Sequence, residues 1–115
     1  MDIDNIKKEL ERTMKYFGKT WDDVEWAHLK LQRKDMPEKE ALLKPEFSKI
    51  DLEKFISEVE NMGNCYYGFG QQALFGVVAF KDTSWLERRE YNGKEWWHLA
   101  TKPKYTDFIG EEKCV

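Results

Sequence analysis

Cysteine, histidine and proline are scarce in this 115-residue chain, and each scarcity closes off a class of explanation. The two cysteines, Cys65 and Cys114, stand in no CxxC or Cys/His spacing, so neither a zinc site nor a disulfide framework is written here. They read as free thiols of a reducing compartment. No apolar run approaches the ~20 residues that a membrane-spanning helix needs. The opening residues Met1 to Lys8 are polar and read as no export signal, so a cytoplasmic location is expected and a membrane partner is not. A dominant charge is missing too: 22 acidic residues face 19 basic ones, a net charge of −3. That is too little positive charge to hold duplex DNA without sequence preference, and too little negative charge to imitate it.

Motifs of catalysis and phosphate binding are also lacking. Gly68-Phe69-Gly70 is a fragment of a glycine-rich loop, but no third glycine, no Lys-Ser/Thr pair and no helix follow it. Those glycines fit a bulge or a close backbone approach instead. The hydroxyl of Thr83 or Ser84 near His98 would need an orienting group and an oxyanion hole, which no motif announces. The many acids are scattered, so no acid/base pair stands out, and His28 is isolated in the sequence. The expectation is a protein that is not an enzyme and has neither cofactor nor metal.

What is present is a strong pattern. Apolar residues make up 41% and aromatics 15%, enough to build one core over 1–115 as a single domain. Ile3, Ile6, Leu10, Met14 and Phe17 fall on one stripe of a helix over 3–17, capped by Asp2 or Asp4 and ended by Gly18. A second helix over 50–62 carries Leu52, Phe55, Ile56, Val59 and Met62, with Ser48 or Asp51 at its start and Gly63-Asn64 at its end. Between them, Thr20-Trp-Asp-Asp23 has the look of a helix cap. The alternation of Val24, Trp26, His28 and Lys30 favours a strand over the following residues. Residues 32–47 read as a connection punctuated by Pro37 and Pro45, with a short helical turn over 38–44.

The richest stretch runs from Leu74 to Thr101. It reads as a three-stranded antiparallel meander whose last hairpin turns at Asn92-Gly93, a pair suited to a two-residue type I′ turn. That turn sets Tyr91 opposite Lys94, Arg89 opposite Trp96, Glu87 opposite His98 and Trp85 opposite Ala100 on one face. Glu90 then meets Glu95, Arg88 meets Trp97 and Leu86 meets Leu99 on the other. If Asp82-Thr83 makes the preceding turn, Val78 and Phe80 join the first face, and Phe75, Val77 and Ala79 join the second. The second face is thus assigned to the core, with Arg88, Glu90 and Glu95 in solvent at its outer end. The first face, with Phe80, Trp85, Glu87, Arg89, Tyr91, Trp96 and His98, becomes the candidate binding face. Within it, a Glu87–His98 pair and a stacking contact of Arg89 on Trp96 are the ordinary cross-strand expectation.

The hairpin resembles that of small phage and prophage accessory proteins. They carry a Trp-Leu-x-Arg-x-Glu-Tyr-Asp-Gly-x-Glu-Trp-Trp signature after a Gly-x-Gly aromatic segment. The residues that match are Trp85, Leu86, Arg88, Glu90, Tyr91, Gly93, Glu95, Trp96 and Trp97, preceded by Gly68-Phe69-Gly70-Gln71. Asn92 replaces the aspartate, a change the turn accepts. The likeness covers about residues 66–103, against which no shared activity is set. It implies an accessory protein of a mobile element at work in a bacterial host cytoplasm.

The expected architecture is therefore α+β: a three- or four-stranded antiparallel sheet with two or three helices on one face. The expected function is docking on a host protein without catalysis, as an inhibitor of an antiviral system such as a CRISPR effector. A small-molecule or nucleotide-signal sponge, with Arg89 as the anion contact, is the alternative, and homo-oligomerisation a third. Nucleic acid is disfavoured, because an RNA-reading sheet would surround its aromatics with Lys and Arg, whereas Glu87, Glu90 and Glu95 lie between Arg88, Arg89 and Lys94.

Overall fold

In the computed structural model, which describes residues 5–33, 36–64, 72–92 and 94–102, the first helix is α1, Ile6–Tyr16. Its cap is Asn5, whose side chain accepts from the Lys7 backbone N–H, while the expected caps Asp2 and Asp4 lie outside the described residues. The other end closes as a Schellman motif. Gly18 takes φ +72°, and the N–H groups of Gly18 and Lys19 donate to the carbonyls of Lys15 and Met14. Ile6, Leu10 and Met14 are buried along the stripe that the spacing of apolar residues marks out.

A capping box at Thr20 and Asp23 is present, but it opens only one turn of 3-10 helix, Trp21–Asp23. The chain then enters β1, Val24–Leu31, as the alternation favours. The segment read as a helical turn is instead a strand, β2, Lys39–Leu43. Lys-Glu-Ala-Leu-Leu is a good helix sequence, yet the seven residues between Pro37 and Pro45 are too few for a stable isolated helix. Pairing Ala41 with Leu29 and Leu43 with Ala27 satisfies the backbone and buries Ala41 and Leu43. Tertiary pairing overrides propensity here.

Helix α2, Lys49–Asn61, starts from a full capping box. Ser48 accepts from the Asp51 N–H and Asp51 accepts from the Ser48 N–H, each at 3.1 Å. Such a cap contributes about 1 kcal/mol. Its burial stripe is Phe55, Val59 and Met62, with Leu52 and Ile56 packed beside it. The start of α1 is tied to the end of α2 by the Ile6 N–H on the Gly63 carbonyl at 2.9 Å and by an antiparallel bridge between Asn5 and Asn64.

Strands β3 (Leu74–Phe80), β4 (Ser84–Tyr91) and β5 (Lys94–Thr101) form the meander, and the whole sheet has five antiparallel strands in the order β2-β1-β3-β4-β5. Every cross-strand pair expected from the Asn92-Gly93 turn is present between β4 and β5, and Asn92 adopts φ +52° as that turn requires.

The preceding turn differs. Ala79 pairs with Trp85 and Val78 with Leu86, so the loop holds three residues, Lys81, Asp82 and Thr83, instead of two. Thr83 sits at φ +73° and donates its N–H to the Phe80 carbonyl, the arrangement typical of three-residue hairpin loops. One added loop residue reverses the face of the entire strand. Val78 and Phe80 therefore enter the core with Leu86, and Phe75, Val77 and Ala79 turn to the opposite face. This corrects the expected placement of all five.

Both helices lie over one face, where Val24, Ala27, Leu29, Leu31, Leu43, Phe55, Val59, Val78, Phe80 and Leu86 form a continuous core. Gly76 allows the close approach of β1: a Cβ there would stand 2.8 Å from the His28 carbonyl oxygen. The Gly68-Phe69-Gly70 segment and the tail with Tyr105, Phe108 and Ile109, expected to dock on the body, lie outside the described residues.

Candidate functional site

The two faces of the sheet hold two different polar groupings. Beneath the helices, Arg88 is fully buried, and the expectation that it stays in solvent with Glu95 is overturned. Its Nη1 donates to Glu9 Oε1 of α1, and its Nε donates to Glu95 Oε1 at 3.3 Å across the hairpin. Glu95 in turn accepts the backbone N–H groups of Ala73 and Leu74, at 3.0 and 3.2 Å. The guanidinium also lies over the Trp97 ring, 5.3 Å from its centroid. Helix, hairpin and the entry to β3 are thus joined at one charged centre. Leu86 and Arg88 share a face by strand period, so the buried position was inherent in the pattern. What the pattern withheld was the pair of carboxylates that lets a guanidinium lie there, because Glu9 is 79 residues away.

The opposite face has no described element over it. The antiparallel registers align its side chains in rows that run across all five strands. One row runs Leu42, His28, Val77, Glu87, His98. Another runs Trp26, Ala79, Trp85, Ala100. A third brings Glu40, Lys30 and Phe75 to the end where Arg89 and Trp96 stand. Of the candidate residues, Trp85, Glu87, Arg89, Tyr91, Trp96 and His98 come together on this face. Phe80 does not: it is buried on the helix side for the loop-length reason given above.

The face exposes large apolar side chains beside its charged ones. Leu42, Phe75, Tyr91 and Trp96 are 47, 38, 74 and 41% exposed. Its charges are largely paired among themselves. Arg89 Nη2 donates to Glu87 Oε1 at 2.9 Å, His28 Nε2 lies 3.4 Å from Glu40, and Lys30 Nζ lies 3.2 Å from Glu38. Glu87 consequently pairs along its own strand with Arg89, not across to His98. Among the described residues, the cation–ring contact of this hairpin is Arg88 on Trp97, on the other face from Arg89 and Trp96. Pairs as exposed as Glu87–Arg89 contribute about 0–1 kcal/mol, so they neutralise the surface more than they stabilise the fold.

Trp26 belongs to this face and was absent from the candidate set. The alternation of Val24, Trp26, His28 and Lys30 marked it as a strand residue. Nothing local says that β1 lies between β2 and β3, and that neighbour assignment is what brings Trp26 into a row with Trp85.

Ser84 and His98 point to opposite faces, since Ser84 is buried on the helix side and its hydroxyl donates to Asp82. Asp82 also receives Lys19, and these bonds, Lys19 first and Ser84 second, hold its carboxyl well below the ordinary carboxylate range. Among the described residues no group of three His, Cys, Asp or Glu side chains is placed to hold a metal ion, and no helix is long and apolar enough to cross a membrane. Comparison with protein-family models, with curated proteins and with solved structures returns no match for this chain.

Proposed function

We propose that this protein is a non-catalytic accessory protein that docks on another protein through the helix-free face of its sheet. The observation that carries this reading is a sheet face with no described element over it, where Trp26, Phe75, Trp85, Tyr91 and Trp96 surround charges that are largely paired. Trp, Tyr and Arg supply most of the energy in protein interfaces, and depletion of free charge at the centre is the compositional mark of such surfaces. Large apolar side chains exposed together on one face are a mark of interaction surfaces. The likeness of the β4–β5 hairpin to small phage and prophage proteins supports a bacterial host protein as that partner, with an effector of an antiviral system as the target inhibited.

The test is capture from bacterial lysate by the wild type and by a Trp85→Ala/Arg89→Ala/Trp96→Ala variant of equal stability. The reading expects one host protein retained in stoichiometric amount by the wild type and lost by the variant. Hydrogen exchange in the complex should then slow over β3–β5 and not over α1 and α2. Capture indifferent to the triple substitution, self-association by light scattering that occupies the same face, or a thermal shift with a nucleotide in place of a protein would each overturn it.

A further inference from the structure

The corner of the open face where β1, β3 and β4 meet carries a distinct feature. Trp26, Ala79 and Trp85 stand side by side in one row on these three strands. Neighbouring strands lie about 4.8 Å apart, so the two tryptophan backbones are separated by roughly 10 Å with only a methyl group between them. The result is a depression of about 410 Å3 lined by the two indoles with Val77, Ala79 and Glu25, and bounded at the β3–β4 loop by Phe80, Thr83 and Ser84.

Glu25 reaches this depression because of a register irregularity. Val24 pairs with Phe80, but Trp26 already pairs with Ala79, so two residues of β1 occupy one step of β3. Such a bulge re-aims a side chain, here bringing Glu25 to the rim of the depression beside Trp26. Among the other described acids of this face, Glu87 has Arg89 and Glu38 has Lys30, while Glu40 lies 3.4 Å from His28 Nε2. Glu25 makes no ion pair among the described residues. Nearby, Asp82 is occupied by Lys19 and Ser84, and Asp23 by the Thr20 cap, which leaves Glu25 as the carboxylate at this rim without an ion pair among the described residues.

We propose that this slot receives a guanidinium group, the arginine side chain of the protein that docks on the face. The assignment rests on the docking reading and adds the chemistry of one contact. Tryptophan is the strongest aromatic partner of a cation, and a guanidinium is flat, weakly hydrated and able to engage a carboxylate with two N–H groups while its plane lies on a ring. An ammonium is more strongly hydrated. An anionic group would meet the carboxylate of Glu25 at the rim, and a neutral ring would leave Glu25 without a role.

The experiment titrates 15N-labelled protein with N-acetyl-arginine methylamide and, separately, with its citrulline counterpart, which keeps the shape and lacks the charge. The indole N–H signals of Trp26 and Trp85, assigned by single Trp→Phe variants, should shift saturably with arginine and about tenfold more weakly with citrulline. Glu25→Gln, a conservative change at an exposed position, should bring the arginine response down to the citrulline level while the backbone spectrum is kept. Equal response to both probes, an arginine response that survives Glu25→Gln, or no saturable shift at either indole overturns the slot. If the probe fails while capture of the partner still depends on Trp85, Arg89 and Trp96, the slot alone is wrong. Failure of the docking reading would show instead as capture that ignores the triple substitution.

Discussion

Arg88 and Arg89 are neighbours in the chain, each bonded to glutamate, and they belong to different parts of the molecule. Arg88 points under the helices, where its side chain is 0% exposed and two carboxylates, one from the facing strand and one from distant α1, close around it. Arg89 points away from them, is 48% exposed, and bonds among the described residues to Glu87, two residues back. The pleat of a strand sends adjacent side chains to opposite sides, and water does the rest. On the buried side a charge without its partner is intolerable, so the triad fixes where α1 sits on the hairpin. On the open side the same chemistry is cheap and adjustable, and it leaves the surface available for a partner. The contrast shows that an Arg–Glu pair has no single meaning in this chain: its surroundings decide whether it holds the fold or tunes a surface.

The comparison is broken most forcefully at Arg88. Arg88→Met removes the cation and leaves Glu9 and Glu95 facing each other in the core, which should cost about 3–5 kcal/mol in urea unfolding. Replacing Glu9, Arg88 and Glu95 together by apolar residues should recover only part of that loss, because the N–H groups of Ala73 and Leu74 then lack their acceptor.

Next in size is Gly76→Ala, whose Cβ would press on the backbone of β1 from the helix side. A destabilisation of about 1–3 kcal/mol is expected, measured in the same way. Smaller, and of opposite sign, is Thr83→Gly. A β-branched residue at φ +73° is strained, and glycine there should raise stability by about 1 kcal/mol without altering the three-residue loop.

Asp82→Asn tests the exposed end of the same loop through pH. The Asp82 carboxyl titrates below its ordinary value of 3.8 in the folded chain, so its contribution is present at neutral pH and is lost as pH falls below about 4 toward the folded value. Wild type should therefore exceed the variant in thermal stability at pH 7, and the gap should close on acidification. The smallest effect on stability belongs to Arg89→Ala, at most about 1 kcal/mol, against a clear loss of partner capture. A large loss of stability at Arg89, or a negligible one at Arg88, would erase the distinction between the two faces.

Much of this architecture is legible in local pattern. The stripe of Ile6, Leu10 and Met14, the capping box at Ser48 and the Asn92-Gly93 turn each depend on residues within a few positions of one another. The corresponding elements are present in the structure. The pattern misleads at one adjacent loop and wherever a decision is taken far away. A loop of three residues instead of two moved Phe80 from the open face to the core and Val77 the other way. Lys39–Leu43 became a strand because β1 offered an unpaired edge, which no helix propensity can report. Trp26 joined Trp85 only because β1 docks against β3.

Which residues alternate, and where helices begin and end, follows from short-range sterics and hydrogen bonding, so the chain alone settles it. Which alternating set is wet, which strands are neighbours and which charges meet in the dark all require surfaces from opposite ends of the chain to be brought together. Glu9 finding Arg88, and Trp26 facing Trp85 across Ala79, are consequences of folding in three dimensions. Burial energy depends on the final neighbours of a group, and those neighbours do not exist until the sheet has closed on its helices.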